Sequence, residues 1–284
     1  MFSFKERITL AWLADKLNLS YKGDGDYSLL GVTSLDAPLD NALMFTKTDD
    51  LNVSNAVLVA HKESVSPNVL ISINPRFDFI RALEIINSTI GFEVDETAPL
   101  IHPTVKLGQN VVIESGVSIG AGTVIEHNAV IMTGTHIGEN CLIRTNSSIG
   151  SDGFGYERES NGWPVKFIHL GGVTIGNNVE VGSNTCIAKG TLGNTIIEDN
   201  VKIDNLVHIA HNCTLRDGAF IIACSILCGG VEIGKNAWIA PNATVIQKAN
   251  VGEGAVVGLG SVVTKNVVKG HTVAGVPAKI IKRG

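Results

Sequence analysis

The chain has 284 residues, a formal net charge of −5, only 17% charged residues and 31 glycines, with few aromatics. That length accommodates one sizeable domain or two modest ones, and an acidic balance without a basic tract argues against nucleic acid as the main partner. No apolar run approaches the length needed to span a bilayer, and the opening stretch carries Lys5, Glu6, Arg7 and Asp15 among its apolar positions, so a cytoplasmic location is expected.

In chain order, residues 2–17 read as an amphipathic helix ending near Asn18, and GDGDYSLLGVTSL reads as a turn followed by strands. AVLVAH and NVLISI are short apolar strand candidates. NPRFDFIRALEIINSTI reads as a helix with Phe79, Leu83, Ile86 and Ile90 on one face. These elements predict a small α/β domain over 1–99, joined to the remainder through FEVDETAPLIHP.

From Ile101 the pattern changes. Every sixth residue is aliphatic through Leu107, Ile113, Ile119, Ile125, Ile131, Ile137, Ile143 and Ile149, again at Ile175, Val181 and Ile187, and then from Ile197 to Val263. Such a period fits neither a helix nor an alternating strand. It fits a chain that turns a corner every six residues and points one aliphatic side chain inward per flat side, three sides to a coil. Small or β-branched residues stand four places after each aliphatic one, among them Val105, Val111, Thr123, Ala219 and Ala237. Gly108, Gly120, Gly138, Gly176, Gly182, Gly234 and Gly252, with Asn110, Asn177, Asn184, Asn200 and Asn236, crowd the places between, where corners need tolerance of positive φ. A parallel β-helix of about eight coils is predicted over 100–265, followed by a segment, 266–284, that folds back on the last coils.

Two stretches break the count. Residues 150–172 (GSDGFGYERESNGWPVKFIHLGG) carry aromatic and charged side chains that cannot line a narrow prism, so they must loop outward. Ile187 to Ile197 spans ten residues around AKGTLGN. Loops on a rigid scaffold are where function concentrates. The five cysteines, at 141, 186, 213, 224 and 228, form no CxxC, and reduced thiols are expected.

His211, in HIAHN, follows the inward Ile209 by two and so lies at an outer corner. A neutral imidazole there could take a proton from an amine or hydroxyl attacking an activated acyl group; a solvated corner histidine is the alternative. His208 lies beside an inward position and could join an interface network. The HxxH spacing lacks an obvious third ligand, so no metal is expected. In SDGFGY, Asp152 offers a carboxylate and Phe154 and Tyr156 offer flat surfaces, for substrate contact or for loop stability.

The order of GDGDYSLLGVTSL, NPRFDFIRALEII, a hexapeptide helix, IGSDGFGYERESNGWPVKFIHLGGVTIG and TIIEDNVKIDNLVHIAHN, over roughly 20–215, resembles the UDP-3-O-acylglucosamine N-acyltransferases. The resemblance implies a left-handed β-helix, usually a homotrimer, with His211 as the base that deprotonates a sugar amine and with a nucleotide-binding N-terminal domain. It also implies a nucleotide contact at Phe45; further substrate contacts are expected at Asp152, Phe154, Tyr156, His208 and Asn212. Departures are Thr48 and Leu51 near the nucleotide position, TCIAKG for the family's TTIDRG, and Lys248 or Ala249 where a second histidine falls.

The C-terminal third, ending in AGVPAKIIKR, resembles CoA-dependent sugar acetyltransferases, which implies Ala274, Gly275, Pro277 and Lys279 beside CoA. With no second histidine, an oxyanion donor is expected from a backbone N–H near Gly229 or Gly230. The leading expectation is therefore transfer from acyl-CoA to a nucleotide-linked amino sugar for a surface polysaccharide, with no permanently bound cofactor. The related family continues into a helical extension that engages acyl carrier protein, whereas this sequence ends at Gly284. The alternatives are the lipid A N-acyltransferase with a 3-hydroxyacyl carrier protein as donor, and a non-catalytic β-helix scaffold.

Overall fold

The computed structural model describes residues 1–284 and divides into two units: Met1–Val94 with Gly155–Leu170, and Asp95–Phe154 with Gly171–Gly284. The central part of the 150–172 loop, which the sequence assigns to the β-helix domain, is thus counted with the N-terminal unit.

In the first unit the chain opens with a strand, β1 (Phe2–Thr9), where a helix over 2–17 is expected; helix α1 covers only Leu10–Leu17. Pairing decides this: Phe2 and Ser3 lie opposite Val32 and Gly31, and Ile8 and Thr9 opposite Leu29 and Ser28, with a register shift between Ser3 and Ile8 where Lys5, Glu6 and Arg7 are exposed. Thr9 stops the strand and starts the helix: its Oγ1 accepts the Trp12 N–H at 3.2 Å, an N-cap. Asn18, at φ 55°, closes the helix in the left-handed conformation.

Then follow β2 (Tyr21–Lys22), β3 (Ser28–Val32), β4 (Ala42–Phe45), β5 (Val57–Ala60), β6 (Val69–Ile71) and α2 (Pro75–Thr89). The sheet order is β1-β3-β4-β5-β6-β2, parallel between β3 and β6 and antiparallel at both edges. All four residues of β5 are buried, as a continuous apolar run in a covered parallel sheet requires. Helix α2 buries Phe79, Leu83 and Ile86, the face read from its spacing. Pro75 occupies its first turn and Asn74 caps it. The loop contributes an antiparallel hairpin, Tyr156–Arg158 with Pro164–Lys166. Arg76 of α2 ties it down by an ion pair to Glu157 at 2.5 Å and by lying over the Phe167 ring.

The second unit is a left-handed parallel β-helix with three sheets. Strands mostly two residues long stack in register on those of neighbouring coils: Ile119 pairs with Ile101 and Ile137, Ile209 with Ile187 and Leu227, and Val245 with Leu227 and Val263. The counted aliphatics fill the interior, and all from Ile119 to Val263 are buried. In the first coil Ile101 and Ile113 are half-buried and Leu107 remains 48% exposed. Backbone hydrogen bonds run between coils, as from Val124 N–H to Cys141 O at 2.8 Å, so each coil satisfies its neighbour. At the end, Thr272–Ala274 adds to the second sheet beside Val256–Val257, and Lys279–Lys282 returns antiparallel against it.

The glycines divide into two groups with different causes. Positive φ occurs at the second turn position, as at Asn110, Gly116, Gly122, Asn128 and Asn236. Gly108, Gly120, Gly138, Gly176, Gly182, Gly234 and Gly252 have other conformations. A Cβ at Gly108 would lie 2.5 Å from His127 N, and one at Gly252 2.5 Å from Lys269 N. These glycines admit the next coil rather than a left-handed turn, which corrects the expectation for them; Asn177 likewise yields the left-handed position to Asn178.

Candidate functional site

The β-helix strand His208–Ile209 lies between Cys186–Ala188 and Ile226–Leu227. Ile209 is buried, so His208 points outward and the chain turns the corner at His211 and Asn212, with Asn212 at φ 60°. The corner asparagine is the common left-handed residue of this fold, here with a second use. Its Oδ1 accepts from the Thr191 N–H at 3.2 Å and from the Thr191 hydroxyl at 3.0 Å, and it lies 2.9 Å from His211 Nδ1. A backbone N–H can only donate, so the side-chain atom facing it is the amide oxygen. His211 Nδ1 therefore carries a hydrogen, and in the neutral ring the lone pair is on Nε2.

Gly229, one coil on, supports the ring. A Cβ there would stand 2.7 Å from His211 Cε1 and 2.8 Å from Nε2. Gly230 N–H donates to His211 O at 2.9 Å and is committed to the coil-to-coil ladder, which removes it as an oxyanion donor. Gly229 N–H makes no such ladder bond. His208, beside His211, has its imidazole held below the ordinary histidine value, first by partial withdrawal from water and second by the charge of His211.

Asp152 pairs with Lys189 Nζ at 3.1 Å, and Lys189 N–H donates to Ser151 O at 2.9 Å. The SDGFGY start and the 188–194 stretch are thus fastened together. Phe154, in the same unit, is 88% exposed. Phe45 and Tyr156 belong to the other unit, where Phe45 packs on Phe79 with ring centroids 4.9 Å apart.

Of the expected CoA residues, Gly275 N–H donates to Ser261 Oγ at 3.1 Å and its carbonyl accepts from Val262 N–H. Ala274 and Gly275 therefore hold the last coil. Pro277 and Lys279 are on the surface, Lys279 exposed in the returning strand. These residues do not adjoin His211; the strands Thr244–Val245 and Val262–Val263 intervene. No group of three His, Cys, Asp or Glu residues is gathered as a metal site.

Residues missed in the sequence are Thr191 and Thr195. Thr195 Oγ1 accepts the Asn212 N–H at 2.9 Å and donates to Ala188 O at 2.7 Å. The available signal was the irregular count between Ile187 and Ile197, which brings both threonines to the corner.

The three-sheet coil with one inward aliphatic residue per side defines a hexapeptide-repeat β-helix. Residues 116–151 match the family described as bacterial transferase hexapeptide (six repeats). Over 74 residues the chain is 61% identical to the UDP-3-O-acylglucosamine N-acyltransferase of Saccharophagus degradans, covering 26% of this chain and 21% of that protein. Over 127 residues it is 50% identical to UDP-3-O-acylglucosamine N-acyltransferase 2 of Legionella pneumophila strain Lens, covering 45% and 37%.

The chain thus spans between about a fifth and two fifths of the length of these relatives. Among solved structures, the UDP-N-acetylglucosamine acyltransferase of Francisella novicida superposes with a TM-score of 0.56 at 26% identity, over 66% of this chain and 68% of that one. LpxA of Acinetobacter baumannii gives 0.59 at 23%, over 66% and 71%, and shares the fold. The resemblance to the hexapeptide-repeat acyltransferases expected from the sequence holds.

Proposed function

We propose that the protein is an N-acyltransferase that moves an acyl group from a thioester to the amine of a nucleotide-linked amino sugar, with His211 as the base. The observation that carries this reading is the Asn212 Oδ1 to His211 Nδ1 contact of 2.9 Å, which leaves Nε2 able to accept a proton.

The sugar amine attacks the thioester carbonyl carbon while Nε2 takes an amine proton. The oxygen of the tetrahedral adduct gains negative charge, and Gly229 N–H is the donor for it. Collapse forms the amide, breaks the carbon–sulfur bond and expels the thiolate, which receives the proton from His211. Lys248 and Ala249, where the related family has a second histidine, leave this stabilisation to the backbone.

For the acceptor, the names of the relatives favour UDP-3-O-acylglucosamine, and with it the lipid A reading; a 3-hydroxyacyl carrier protein is the donor proposed alongside that acceptor. The acyl-CoA and polysaccharide reading, the first expectation from the sequence, rests on the C-terminal resemblance alone. Phe45 and Tyr156 are proposed for the nucleotide, and Asp152, Phe154 and His208 for the sugar. A homotrimer would supply the second wall that a corner base needs, and the exposed Leu206, Ile226 and Ile246 near His208 suit such packing.

The test is mass-detected product formation from UDP-3-O-acylglucosamine and from UDP- and dTDP-linked amino sugars, each offered 3-hydroxyacyl carrier protein and acyl-CoA. His211→Ala should lower turnover by at least about a hundredfold while the protein stays folded. Undiminished turnover would remove His211 as the base, and turnover only with acyl-CoA would restore the polysaccharide reading.

A further inference from the structure

We propose that Thr191 is a positioning residue for the reaction, holding Asn212 in the one amide orientation that keeps the His211 proton on Nδ1; this rests on His211 being the base. Two donors of Thr191, the N–H at 3.2 Å and the hydroxyl at 3.0 Å, converge on the same Asn212 oxygen that faces His211 Nδ1.

Were the amide to turn over, its NH2 group would face the Thr191 N–H, donor against donor, and would offer a hydrogen to Nδ1. The imidazole would then carry its proton on Nε2 and could not accept one from the amine. The hydroxyl could accept from that NH2 group only by giving up its own donation, and the backbone N–H could make no bond at all. The two donors therefore act together, with the N–H setting the direction and the hydroxyl strengthening it.

The surroundings fit this role. Asn212 Nδ2 rests on Gly190, where a Cβ would come within 3.0 Å of it and would also overlap Gly193 O. The Asn212 backbone is held separately, by Thr195 Oγ1 at 2.9 Å. Elsewhere in the solenoid corner asparagines bond to a corner residue of a neighbouring coil, as Asn146 does to Asn184 at 3.3 Å and Asn200 to Asp217 at 2.8 Å. At Asn212 the partner is instead the irregular 188–194 stretch, the place where the six-residue count fails. The break in the repeat is what delivers a hydroxyl and an N–H to the catalytic corner.

The experiment is a long-range proton–nitrogen correlation spectrum of the full chain labelled with 15N-histidine, near pH 8. The His211 signals are assigned by their absence in His211→Ala, and steady-state kinetics are run beside the spectra. In the wild type, Nε2 should show the shift of an unprotonated nitrogen. Thr191→Val should mix in the Nε2–H tautomer and lower kcat by about fivefold, the effect of losing one neutral hydrogen bond, with KM within about twofold. Thr191→Ser should restore both, and Thr191→Ala is the second variant if the valine chain melts early.

An identical tautomer and kcat in the wild type and Thr191→Val, or a wild type already protonated on Nε2, would overturn the proposal. Retained turnover in His211→Ala would instead defeat the base assignment. The tautomer readout needs no turnover, so it separates the two failures.

Discussion

Gly229 is the residue whose side chain, or lack of one, governs His211 most directly. Adding a single methyl would place Cβ 2.7 Å from Cε1 and 2.8 Å from Nε2, inside van der Waals contact, so the imidazole must move. The backbone there is outside the left-handed region, so alanine strains nothing else. Gly229→Ala should therefore keep its melting temperature yet lose kcat by about a hundredfold, the cost of misplacing a base by roughly an ångström. Gly193→Ala, whose Cβ would meet nothing within 4 Å, is the matched control, and equal kcat in the two variants would show that the ring is not pressed by Gly229. The sequence made His211 visible through its place after Ile209, and it raised the expectation of an oxyanion donor near Gly229 or Gly230. It could not separate those two glycines, because which N–H is spent on the coil-to-coil ladder is a fact of stacking. Asn212 was legible as a corner residue, but its double acceptance from Thr191 was not, since the partners are 21 positions apart across an irregular stretch.

At the scale of elements, the period of six was sufficient to find the β-helix because one inward side chain per side is its only packing rule. The helical period failed at the N-terminus, where Phe2–Thr9 is too short for alternation to be told from an amphipathic turn until the pairing with Ser28–Val32 is known. β4 went unread for a similar reason: ALMF is an apolar run of four with no alternation. Stacking also determines how damage spreads. Ile209 is fully buried between Ile187 and Leu227, and Ile209→Ala should cost about 2–5 kcal/mol, as cavity-forming substitutions do. In a solenoid that loss is shared with the adjacent coils. Hydrogen exchange should therefore accelerate in Cys186–Ala188 and Ile226–Leu227 while the strands of the α/β unit keep their protection. Uniform acceleration through both units would mean that the coils are not the cooperative element.

Across the whole molecule, a further pattern is a set of ion pairs laid along the outer surface of the β-helix. Arg216 bridges Glu198 at 2.8 Å and Glu232 at 2.7 Å, Lys235 holds Asp217 at 2.8 Å, and Lys269 holds Glu253 at 2.8 Å. Hydrogen bonds from Asn200 and Lys235 keep the Asp217 carboxyl below its usual range, and Lys269 does the same for Glu253. A depressed carboxyl contributes stability above its unfolded value, and that contribution is lost as pH falls through the folded one, so the contributions of Asp217 and Glu253 are lost only in strong acid.

His208 obeys the same sign at a higher pH. Its folded value lies below the unfolded value of about 6.5, because partial desolvation and then His211 oppose its charging. The unfolded chain takes up this proton first, so stability falls as the pH drops below about 6.5 toward the folded value. The melting temperature should accordingly decline between about pH 7.5 and 5 while the carboxylates are still ionised, and His208→Gln should flatten that decline without altering the steeper loss in strong acid. Melting curves of the two chains across that range make the comparison. Parallel declines would mean that His208 charges as readily in the fold as out of it.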